Sequence, residues 1–404
     1  MAARQDELAG RAGALLVRIG LVFLMVALPV MAIYSRRFVY PLMPIGAALI
    51  LTGALLIPGH RLLHKTRKAL LSPALVAALC LIAWAGLTLI WTPVPGFAIV
   101  RFVQTMATLF LVFIVLAYLP NHSRAPNLNL LPIGAGMTAI AAVAVYFIDA
   151  IALPPGKMEA ATLERAAVGL VLMLWPALAA LAVRERWAYG GVLAFAAVAA
   201  AVAIGTPATL AGIAVGALIV VGSQPSPRIW SLVLGILFAL VFLLAPAIPL
   251  IFEAMAPVPL VPLPVSKSLL LWAEIVRADP IRLLTSHGLE TMPRGMASGY
   301  LPLETPRSIL FEIWFELGLV GAILAACVTF TTFAMAGRAP APVAPFMMAG
   351  FACVLAIAIF GLATLQLWWL NIVAVMAIGF GCTIRGKARN ERPVAPKIGS
   401  PPGA

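Results

Sequence analysis

The chain has 404 residues, 63% of them hydrophobic and 10% charged, with a mean hydropathy of +1.07. Soluble globular domains carry roughly 25% charged residues, so that class is excluded and an integral membrane protein is indicated. A net charge of +13 would suggest nucleic acid in a soluble protein, but its distribution here points to a bilayer, and no nucleic-acid partner is expected.

An apolar run of about 20 residues crosses one bilayer core, and it does so as a helix because lipid offers the backbone no other hydrogen-bond partners. In chain order such runs fall at about 16–34, 38–57, 69–90, 102–119, 131–151, 166–183, 191–205, 208–222, 230–251, 308–336, 346–361 and 364–383. They predict an all-α, polytopic bundle of about twelve transmembrane helices. The pair 191–205 and 208–222 is short, divided by Gly205-Thr206-Pro207. Residues 1–384 form one membrane domain, and the basic, Pro- and Gly-rich tail 385–404 is expected to be disordered near anionic headgroups. The first run has no small-residue cleavage site and simply begins the bundle.

Charge sets the orientation. With the N-terminus inside, the inner loops collect seventeen Lys and Arg against four acids, and the outer loops ten against ten. Such a bias places both termini in the cytoplasm. Cys80, Cys327, Cys353 and Cys382 all lie in apolar runs and read as packing residues, not as a disulfide or metal framework. His60 and His64 have a metal-capable spacing but sit in a polybasic loop without a third ligand nearby, so no metal or cofactor is expected.

The outer segment 252–307 interrupts the apolar series and holds ten Asp, Glu, Lys and Arg side chains from Glu253 to Arg307, with His287 besides. Its first part, Ala256 to Pro264, is too rich in Pro for a helix. From Ser266, a plausible N-cap, to Asp279, before Pro280, the pattern is an amphipathic surface helix with Leu269, Trp272 and Val276 on one face. A turn follows at Thr285-Ser286-His287-Gly288-Leu289-Glu290.

Arginine suits bidentate contact with phosphate oxygens. Arg101, Arg165, Arg282, Arg294 and Arg307 gather on the outer side against the inward bias of basic residues, which marks them as candidates for holding a polyanionic ligand. The bland alternative for each is an ion pair or snorkelling at a helix end. His287, the one outer His, is a candidate general base, with Glu290 and Glu304 as carboxylate alternatives. Glu312 and Glu316 open the tenth run one turn apart, and pairing with Arg307 or Arg294 is expected because an acid within a span is costly.

The order of surface helix, Ser286-His287-Gly288-Leu289 turn and Pro306-Arg-Ser-Ile-Leu-Phe-Glu-Ile-Trp-Phe-Glu316-Leu-Gly318-Leu-Val-Gly321 resembles the O-antigen ligase and O-antigen polymerase superfamily. Trp91-Thr92-Pro93-Val94-Pro95 is similar to that family's outer Trp-Ser-x-x-Pro segment, and Arg165 to an Arg opening the sixth span. The chain departs from the family where Arg307 stands at the usual His position, Ser286 at the first turn Gly, and Ser268 at the Arg four residues before Trp272. The resemblance implies a metal-independent glycosyltransferase of a bacterial inner membrane. Its donor is a glycan on undecaprenyl pyrophosphate, and its acceptor a hydroxyl of lipid A-core or of a second lipid-linked glycan. It implies no cofactor, and places the polyprenyl chain between the surface helix and the bundle, among membrane lipids.

Two other readings stand beside it. A lipid-linked glycan transporter would carry charge at mid-span and paired halves, and the chain shows almost no mid-span charge and no repeat. A non-catalytic member of the ligase fold would explain Arg307.

Overall fold

The computed structural model describes residues 2–57, 72–119, 125–151, 160–255, 263–360 and 367–386. The His60/His64 loop, most of the Pro-rich stretch from Ala256 and nearly all of the basic tail lie outside the described residues. Ten of the described helices are long and apolar enough to cross a membrane, and two shorter apolar helices accompany them.

In chain order these are α1 (Glu7–Tyr34), α2 (Arg36–Leu56), α3 (Pro73–Leu87), α4 (Pro95–Tyr118), α5 (Leu130–Ile151), α6 (Ala160–Val183), α7 (Trp187–Ile204), the shorter α8 (Pro207–Ser223), and α9 (Pro227–Leu244). Four helices of the charged segment follow: α10 (Ala247–Ala254), α11 (Leu263–Ala278), α12 (Arg282–Thr285) and α13 (Thr291–Ala297). The chain closes with α14 (Ile309–Ala336), the shorter α15 (Ala344–Ile359) and α16 (Leu367–Arg385).

The helix α6 is the axis of the larger core, buried along most of its apolar length and packed against α1, α5, α7, α15 and α16. Small residues set other contacts. A Cβ on Gly13 would fall 2.5 Å from the Gly53 carbonyl, and one on Gly53 would fall 2.6 Å from that of Gly13, so α1 and α2 touch backbone to backbone. Close backbone approach through small residues is the usual way helices associate in lipid, where apolar burial gives no driving force.

Three expected elements are revised. The run 230–251 ends at Leu244 and restarts as α10, with Pro246 between them, which has no N–H to continue the helical ladder. The surface helix begins at Leu263 rather than behind a Ser266 cap, because Pro264 fits the first turn, where its missing N–H costs nothing. The run 308–336 is broken at Gly318, whose φ of 65° and ψ of −162° lie in a region essentially reserved for Gly.

The amphipathic reading of α11 holds. Trp272 and Val276 are buried against α14, with Trp272 edge-on to Phe311 at 5.5 Å, while Lys267, Glu274 and Arg277 are exposed. Arg277 pairs with Glu253 of α10, so α10 and α11 lie side by side.

Candidate functional site

The broken helix builds the site. Interrupting α14 at Gly318 frees the carbonyls of the turn before it, and a freed carbonyl in a buried place must find another donor. Leu317 receives the indole N–H of Trp84 at 2.8 Å. Phe315 receives the backbone N–H of His287 at 2.9 Å and lies 3.2 Å from His287 Nδ1. The break thereby fastens the turn 286–290 to the mouth of α14.

No side chain fits at the break. A Cβ on Gly318 would meet the Leu284 carbonyl at 2.9 Å and the Leu283 carbonyl at 3.1 Å. Gly318→Ala is therefore expected to cost about 1–3 kcal/mol from backbone strain alone, visible as a lower unfolding temperature in detergent. An unchanged unfolding temperature would contradict the tight packing of this junction.

The turn itself is strained. Ser286, Gly288 and Glu290 all have positive φ, at 67°, 93° and 66°. Two of the three are not Gly, and such residues persist only where their surroundings over-determine them. Those surroundings are the Trp91–Phe97 segment between α3 and α4. Trp91 Nε1 donates to Ser286 Oγ at 3.2 Å, and Thr92 Oγ1 donates to the Leu289 carbonyl at 2.8 Å. Thr291 Oγ1 donates to the Gly288 carbonyl at 2.7 Å, and Glu316 Oε1 accepts the Met292 N–H at 3.0 Å.

Between this turn, α13 and the Trp91–Phe97 segment lies a cavity of about 690 Å³. Its charged and aromatic lining is Trp91, Phe97, Arg282, His287, Arg294 and Tyr300. The His287 ring stacks on Phe315 with centroids 3.9 Å apart. Because the Phe315 carbonyl can only accept, the hydrogen of a neutral His287 belongs on Nδ1, which leaves Nε2 as the free base. Burial lowers the pKa of His287 from its usual value, the Phe315 carbonyl opposes that shift, and the charge of Arg282 adds to it. The net shift favours the neutral form of His287.

Glu290 lies behind the cavity as a bridge. One of its oxygens faces Arg101 Nε at 3.6 Å and the other Arg294 Nε at 3.7 Å. Burial raises its pKa above the ordinary carboxylate value, and the two guanidiniums pull it back. The Arg294 guanidinium also lies over the Phe97 ring, 3.7 Å from its centroid, within cation–π range.

The eight site residues expected from sequence thus divide. His287, Arg282 and Arg294 line the cavity, and Glu290 and Arg101 support it. Arg165 and Arg307 do not line it; they lie near enough to Glu164 for their charges to act on it, and Arg165 donates to Thr162 Oγ1 at 2.8 Å. Glu304 is exposed, and its backbone carbonyl accepts from Ser268. The expected pairing of Arg294 with Glu316 is replaced by Arg294–Glu290.

Sequence reasoning missed Ser286, Phe97, Thr291 and Tyr300 as site residues. Ser286 had been noted only as a departure from a motif, and Tyr300 carries no local signal. No family model, curated protein or solved structure matches this chain.

Proposed function

We propose that this protein is a membrane glycosyltransferase that moves a glycan from undecaprenyl pyrophosphate to a hydroxyl of lipid A-core or of a second lipid-linked glycan. The site would face the outer side of a bacterial inner membrane. The observation that carries this reading is one cavity holding an imidazole and two guanidiniums, built on helix ends of a polytopic bundle.

The chemistry follows from those groups. His287 Nε2 takes the proton of the acceptor hydroxyl, whose oxygen attacks the anomeric carbon of the donor sugar. The bond from that carbon to the pyrophosphate oxygen breaks, and undecaprenyl pyrophosphate leaves with the electron pair. Arg282 and Arg294 neutralise the charge that grows on the leaving oxygens, a contribution made in the transition state. Glu290, held between Arg101 and Arg294, orients the second arginine rather than serving as the base.

Cells depleted of the protein should accumulate undecaprenyl-pyrophosphate-linked glycan on the outer leaflet of the inner membrane. Accumulation on the inner leaflet would replace this reading with a transporter. Orientation has its own test: Leu303, exposed between α13 and α14, becomes a single Cys in a background freed of the four native Cys. A membrane-impermeant thiol reagent should label Leu303→Cys in cells whose inner membrane is intact, and labelling only after permeabilisation would place the segment in the cytoplasm.

A further inference from the structure

Glu316 sits in the membrane-spanning α14, yet its carboxylate is aimed at the site's turn and not at a cation. It is 2% exposed, and its Oε1 takes the backbone N–H of Met292 at 3.0 Å. The backbone N–H of Glu290 lies near the same carboxylate. Met292 is the second residue of α13, and α13 carries Arg294 two residues further on. Two residues beyond Glu316, the break at Gly318 frees the carbonyls that hold His287 and Trp84. The same stretch, Phe315 to Gly318, therefore grips the turn from both ends: a carbonyl at its His287 end and a carboxylate at its Met292 end.

We propose that Glu316 is a positioning residue that fixes the distance between His287 and Arg294 by clamping the backbone at Met292. This inference rests on the glycosyltransferase reading of the cavity. Neither residue reaches its place by its own rotamer alone. Between His287 and Arg294 the turn has two positive-φ positions, Gly288 and Glu290, and it relaxes unless both ends are held. Glu316 does not line the cavity and takes no part in proton transfer.

The test compares Glu316→Gln with Glu316→Leu in the full-length protein, in detergent and in reconstituted vesicles. Gln keeps an oxygen that accepts the Met292 N–H, whereas Leu fills the space without an acceptor. Hydrogen exchange read on peptides covering 287–295 should show the Met292 amide protected in wild type and Glu316→Gln, and exchanging at least tenfold faster in Glu316→Leu. In the transfer assay Glu316→Leu should raise the donor KM at least tenfold, and Glu316→Gln should stay within threefold of wild type. Unchanged amide protection in Glu316→Leu would overturn the proposal. So would a Glu316→Gln variant that keeps protection but loses transfer, because the carboxylate would then act chemically and not as a clamp. A wild-type protein without transfer would end the glycosyltransferase reading, while the exchange arm would still decide whether Glu316 holds the turn.

Discussion

His287→Ala should lower glycan transfer by about 10²–10⁴-fold, the contribution of a positioned general base, with the protein still present at wild-type levels in the membrane. The size of the effect follows from the arrangement around the ring. The Phe315 carbonyl fixes the hydrogen on Nδ1, Phe315 holds the ring plane, and His287 lines the cavity. The pH dependence has a definite sign. Burial shifts the imidazole pKa downward, so the unprotonated base is fully present at neutral pH and is lost only as pH falls through that lowered value. Transfer should be level near pH 7 and decline on the acid side below the ordinary histidine pKa of about 6.5. An activity limb centred above that value, or a His287→Ala variant with wild-type transfer, would remove His287 from the chemistry.

Arg294→Ala should cost about 1.5–3 kcal/mol of transition-state binding, the scale of a hydrogen bond to a charged group, or roughly ten- to a hundredfold in kcat/KM. Lys is expected to recover only part of this loss, because an ammonium cannot reproduce the planar fork or the stacking on Phe97. Arg307→Lys should be far milder, since Arg307 is exposed and lies off the cavity lining. If Lys at position 294 gave full activity while Lys at 307 abolished it, the pyrophosphate would sit beside the Glu164 group instead.

The spans were legible because apolar length alone defines them in lipid. The short pair 191–205 and 208–222 is made of two helices, with Gly205 in the left-handed conformation ending one and Pro207 in the first turn of the next. The surface helix was legible from its apolar face, and Arg282, His287 and Arg294 from charge alone. The clasp was not. Trp91 and Ser286 are separated by 195 residues, and their contact depends on where α3, α4 and α14 end, which no local pattern states.

The break at Gly318 was hidden for a related reason. The residues around it are as apolar as any span, and a lone Gly inside a helical pattern is usually tolerated. Only the packing of α12 against α14 leaves no room for a Cβ there. An acid within a span suggests a cation partner, whereas the partner of Glu316 is the backbone amide of Met292. Charge counting does not see amide donors.

In the proposed function, the cavity between α13 and the Trp91–Phe97 segment transfers glycan from a polyprenyl pyrophosphate. Purified protein in vesicles, supplied with undecaprenyl-pyrophosphate-linked glycan and a lipid-linked acceptor, tests it by mass spectrometry of both products. Wild type should give elongated acceptor and free undecaprenyl pyrophosphate in equal amounts, and His287→Ala at least a hundredfold less of both. Equal product from both proteins, or none from wild type with donor and acceptor present, would contradict it.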